Sequence, residues 1–130
     1  MTKNDWLELT VLERRKYNCL VEVEDVTRQL AEALDRNDQV AARMLVAMRQ
    51  DPLLQLEEVD RGEKKQKAAL PEEDQDRVRT LLKEEAPRYE GENIFLEQAC
   101  KTRRLLERVV ELDRRVNMRM AGDHSFYRKK

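Results

Sequence analysis

Aromatic residues make up only 5% of this 130-residue chain, and glycine and proline occur three times each. So few turn and strand formers argue against sheet-rich or loop-rich folds and for long helices. Chemistry-bearing groups are equally scarce. His124 is the only histidine and has no cysteine pair or second histidine nearby, so no zinc site is assigned. Gly62, Gly91 and Gly122 are too scattered to form a phosphate-cradling loop. Ser125 is the only serine, which leaves no serine nucleophile with its base and orienting acid. No apolar run approaches the roughly 20 residues a membrane span needs, and Met1 to Trp6 is polar with no secretory signal after it. The two cysteines, Cys19 and Cys100, are accordingly expected to be reduced, at least partly buried and cytoplasmic.

What the chain does contain is charge and period. Charged residues are 41% of the total, yet the net charge is −1, so the overall field selects no partner. The distribution is uneven: from Lys101 to Lys130 ten basic residues meet four acids, giving +6 against −7 for the remainder. Glu107, Glu111 and Asp113 interrupt this basic stretch and stacking aromatics are few, which argues against nucleic-acid binding. The basic groups read as the wet side of a helix facing acidic neighbours. Paired carboxylates at Glu57-Glu58 and Glu72-Glu73-Asp74 read as solvated. Arg14 and Arg15 sit in a Glu-Arg-Arg-Lys run, a wet face rather than a dianion site. No catalytic, cofactor-binding or metal-ligating set is assigned, and the chain reads as non-enzymatic.

The apolar pattern predicts an all-α fold: an antiparallel helical bundle, or long helical hairpin, with one short third helix and a long C-terminal helix. Residues 1–122 form a single domain in this reading, and 123–130 a polar tail. Asn4 or Asp5, with Glu8, is expected to cap the first helix, whose apolar positions are Trp6, Leu9, Leu12, Cys19, Val23, Val26, Leu30, Ala33 and Leu34. Lys16 interrupts that seam and is expected to snorkel. Arg36-Asn37-Asp38 is a short break, with Asp38 capping a second helix whose face is Val40, Ala41, Met44, Leu45 and Met48. Pro52 predicts a bend or restart between Gln50 and Leu53. Glu57 to Asp76 carries few apolar residues and is expected to pack weakly. Leu70-Pro71 opens the short helix, with Val78, Leu81, Leu82 and Ala86 as its face, and Pro87 ends it.

The last segment, Asn93 to Met120, is apolar over more than one seam requires. Phe95, Ala99, Thr102, Leu106 and Val109 recur at three and four, while Leu105, Val110, Leu112 and Val116 widen the stripe. A helix with two adjacent apolar stripes must bury both, one against its own bundle and one elsewhere. The spacing does not determine which faces inward.

Four features of this layout resemble the FlgN-type flagellar export chaperones of bacteria. These are the long opening helix with Leu30 and Leu34 ahead of Asp38, the Met48-Arg49-Gln50-Asp51-Pro52-Leu53 stretch, the proline-flanked short helix, and Asn93-Ile94-Phe95-Leu96 opening a long apolar helix before Phe126-Tyr127. Family members often end in a tail with a tyrosine followed by glycine; here Arg128-Lys129-Lys130 follow instead. The resemblance implies a cytoplasmic binding protein with no catalysis and no cofactor. It would hold a helical segment of a hook-associated protein and could engage a component of the export machinery. The client-binding residues expected are Leu105, Val109, Leu112, Val116 and Met120, with tail contacts from Phe126 and Tyr127. Leu106 and Val110, with Phe95 and Thr102, would then anchor the helix. The alternative is a homodimeric coiled-coil scaffold in which the surplus stripe pairs with itself.

Overall fold

The structure is a computed structural model and describes residues 1–83 and 86–122. It contains α1 (Lys3–Asp35), α2 (Gln39–Met48), α3 (Gln50–Ala68), α4 (Glu72–Leu82) and α5 (Glu90–Gly122). Among the described residues there is no strand, as the periodicity predicts for an all-α bundle.

Helix ends follow from local chemistry. Thr2, not Asn4 or Asp5, caps α1: the Asp5 amide donates to the Thr2 hydroxyl at 3.1 Å, and the Thr2 amide donates to the Asp5 carboxylate at 2.8 Å. Thr-x-x-Asp satisfies both orphan donors reciprocally, which displaces the Asp5–Glu8 box expected from sequence. At the other end Asn37 adopts φ 58°, the left-handed conformation asparagine tolerates. The Asn37 amide then reaches the Leu34 carbonyl at 3.1 Å, and the Asp38 amide reaches Ala33 at 2.9 Å. This pair of bonds closes the helix and reverses the chain. Asp38 caps α2 as predicted, accepting from the Ala41 amide at 3.0 Å.

Pro52 divides the next stretch, but the break falls at Arg49, one residue ahead of the predicted window. Proline at 52 cannot donate to the Met48 carbonyl and crowds it, so the helix loosens there. Pro52 itself sits in the first turn of α3, where a missing donor costs nothing. Asp51 is not the cap; it accepts from the Gln55 side chain at 2.9 Å. In α4 the first turn carries Glu72, Glu73 and Asp74, favourable at the positive end of the helix dipole. That helix stops at Leu82, so Ala86 lies beyond it and is exposed.

Helix α1 is the spine. Along it α5 runs parallel: Trp6 meets Phe95 with ring centroids 5.5 Å apart, the Thr102 hydroxyl reaches the Glu13 carbonyl, and Leu20 and Val23 pack with Leu105 and Val109. Leu30 and Leu34 close the far end with Val116 and Met120. Arg108 pairs with Glu24 at 3.3 Å and Arg119 with Asp35, so the basic helix does face acidic neighbours. Helix α3 returns antiparallel on α1, through Lys16–Asp60 at 3.5 Å and Gln66–Glu8 at 2.8 Å. Helix α4 covers the N-terminal end, with Val78 and Leu81 against Trp6, Leu9 and Phe95. Both α3 and α5 pack on α1 but hardly on each other.

Two core assignments need correction. On α2 the buried residues are Ala42 and Leu45, whereas Val40, Met44 and Met48 are exposed. The small side chain of Ala42 faces the core that Leu30, Leu34 and Val116 fill, and the bulkier residues are turned out. Val26 is half-buried rather than buried, while Leu30 is fully enclosed. Leu30→Ala should therefore cost about 2–5 kcal/mol. A urea titration checks this, and an unchanged midpoint would show that Leu30 is not in the seam.

Candidate functional site

The residues expected to hold a client lie in the interior. Leu105 is 1% exposed, Val109, Val116 and Met120 are also buried, and Leu112 is half-buried. Val116 and Met120 pack against α1 and α2, and Leu105 and Val109 against α1 and α3, so these four are not presented to a partner in this arrangement. The counter-stripe splits. Phe95 and Thr102 are buried with the first set, but Leu106 is 36% exposed and Val110 57%. The cause is geometric. Buried positions on α5 step through 92, 95, 99, 102, 105, 109, 116 and 120. Leu106 and Val110 each follow a buried residue and so lie about 100° further round the axis. Met118 is exposed as well. The spare apolar face of α5 is therefore Leu106 and Val110, one turn apart; Met118, twelve residues on from Leu106, lies about 120° further round the axis and does not share it. Phe126 and Tyr127, with His124 and Ser125, lie outside the described residues.

Leu106 borders a cleft of about 280 Å³ between α3 and α5. Glu13 and Lys16 of α1 form its floor; Glu63 and Lys67 of α3, Leu82 of α4, and Ala99, Thr102 and Arg103 of α5 complete it. The Arg49–Asp113 ion pair ties the α2–α3 junction to α5 further along. Lys16 behaves as expected, burying its stem and carrying its ammonium to Asp60. Sequence reading passed over Glu13 and Glu63, each only 5% exposed. A signal existed for Glu13, which falls on the α1 seam between Leu9 and Leu20 just as Lys16 does. Desolvation, then the Glu63 charge and a hydrogen bond with Glu63, push the Glu13 carboxyl up to about 7 against the opposing Lys16 and Lys67.

A second cleft, of about 270 Å³, lies at the N-terminal end between α1 and α5, lined by Lys3, Leu7, Thr10, Glu90, Gly91 and Ile94. A Cβ at Gly91 would sit 3.2 Å from the Trp6 Cβ, so glycine lets α5 start this close to α1. Beside it Glu92 is buried and clamped by Arg77, with Nε to Oε2 at 3.0 Å, while the Arg88 amide donates to Oε1 at 2.9 Å. These bonds tie α4 to the start of α5.

Cys19 is buried, Cys100 half-buried, and both are free thiols. Among the described residues no three metal-ligating side chains converge, and no helix is long and apolar enough to cross a membrane. No family model, curated protein or solved structure matches this chain. What the arrangement offers is surface: an apolar strip beside a partly polar cleft.

Arg77→Ala would leave the Glu92 carboxylate buried without its guanidinium and should destabilise the fold by about 3–5 kcal/mol. The Arg77 hydrogen bonds hold the Glu92 carboxyl below its ordinary 4.5. Its contribution is thus complete above that value and lost as pH falls through the lower folded value. Thermal melts from pH 7 to pH 3 should show the variant losing less on acidification than the parent; equal losses would contradict the clamp.

Proposed function

We propose that this protein is a non-enzymatic binding protein, an export chaperone of the FlgN type, acting in the cytoplasm. In this reading it holds a helical segment of a hook-associated flagellar protein on the spare face of α5. The observation that carries the proposal is the exposure of Leu106 and Val110 on a helix whose other apolar stripe already closes the bundle. The four sequence features that resemble the family supply the client class. An amphipathic client helix has anchors at i and i+4, which match Leu106 and Val110 one turn apart. Laid beside α5 over the cleft, it would occupy the side where α3 and α5 leave each other uncovered, as a fourth helix completes a bundle.

The test is capture of the terminal segments of hook-associated proteins by the purified chain. Leu106→Glu combined with Val110→Glu should abolish capture while shifting stability by no more than about 0.5 kcal/mol per site, as for other surface changes. Leu105→Glu should instead prevent folding, because it places a charge in the core. Undiminished capture by the double variant would sink the proposal. So would light scattering that finds a dimer dissociated by the same double substitution, since the face would then serve self-association.

A further inference from the structure

We propose that a protonated Glu13 carboxyl donates to Glu63 across the α1–α3 interface, and that losing this proton loosens α3 from α1, so the seam is a proton-operated latch. The inference holds whether or not a client binds beside it.

The geometry supplies the argument. Glu13 of α1 and Glu63 of α3 line one cleft and act on each other there, each residue being only 5% exposed. Lys67 reaches Glu63 Oε1 at 3.1 Å, and Lys16 is drawn off to Asp60 at 3.5 Å. Glu63 Oε2 is left buried with no conventional donor. A buried carboxylate oxygen without a donor is costly, and the group positioned to supply one is a protonated Glu13 carboxyl. With one proton between them the pair carries −1, which Lys67 balances. With none it carries −2 in a desolvated site, and the two charges repel.

The remaining charged group lining the cleft is Arg103 of α5; α4 contributes only Leu82. Thr102 is engaged with the Gln98 and Glu13 backbone carbonyls and donates nothing to the pair. Desolvation therefore dominates, and the Glu13 carboxyl holds its proton up to about 7. The sign follows from linkage. Between the ordinary 4.5 and about 7 the folded chain binds more protons than the unfolded one. Stability from this pair is complete below that window and is lost as pH rises through it. This is opposite in sense to the Glu92 clamp.

Three measurements on the full chain decide it. An NMR titration of the Glu13 side-chain carbonyl carbon should give a midpoint near 7; a midpoint in the ordinary glutamate range would overturn the proposal. The urea midpoint of the parent should fall from pH 5 to pH 7.5, and Glu13→Gln, which keeps a donor without the charge, should remove that fall. Glu63→Gln removes the repelling charge but not the burial of Glu13, so it should make that fall smaller, and it provides a second reading if the first variant folds poorly. A parallel fall in parent and variants would refute the latch. At pH 8 trypsin should cut the parent at Lys64 and Lys65 of α3 faster than it cuts Glu13→Gln; equal rates would show that α3 is not released.

Discussion

Two helices of 33 residues each lie parallel along about 50 Å, and a match of that length constrains everything between them. Parallel neighbours cannot be joined by a short loop, so the intervening chain must travel back the length of α1 before α5 begins. Helices α2 and α3 make that return trip. Asn37 and Asp38 reverse the chain, and the break at Arg49 lets the returning pair follow α1 instead of diverging from it. The short α4 then crosses the N-terminal end and seals Trp6, Leu9 and Phe95 from water. The register of α5 is fixed at both ends, by Gly91 against Trp6 and by Arg119 at Asp35.

The two attachments to α1 differ in kind. Helix α5 is held by large apolar side chains, each worth roughly 1.5–3 kcal/mol when buried. Helix α3 buries little beyond Pro52 and Glu63, with Leu53 and Leu56 half-buried. Its other links are polar: Lys16–Asp60, Gln66–Glu8 and the Glu13–Glu63 contact. The partly exposed Lys16–Asp60 ion pair contributes about 0–1 kcal/mol. The weakly apolar stretch that begins at Glu57 is thus helical through Ala68, but its hold on the bundle depends on charge and protonation.

Much of this was legible in the residues. The seam Cys19, Val23, Leu30 reads directly as heptad-like spacing, and Asp38 and Pro52 each impose their local effect through donors given or withheld. The inward face of α5 was not legible. Leu105 and Leu106, like Val109 and Val110, are adjacent apolar pairs, and either member satisfies a 3.6-residue period. Only the position of α1 decides which is covered. The face of α2 was misread for a related reason: Val40, Met44 and Met48 outrank Ala42 in hydrophobicity, yet a tight contact selects the smallest side chain. Glu13 was not legible because a charged residue on a seam usually finds water or an opposite charge, as Lys16 finds Asp60, whereas Glu13 meets a second carboxyl instead.

Native-state hydrogen exchange, followed residue by residue at pH 7.5, addresses the central claim that α1 and α5 form one cooperative seam and α3 is an attached layer. Amides of α1 between Leu20 and Leu34, and of α5 between Leu105 and Val116, should exchange only through global unfolding. Those of α3 between Leu56 and Lys67 should exchange through a smaller opening of lower free energy. Protection in α3 equal to that in α1, or an α5 that opens before α3, would contradict the account.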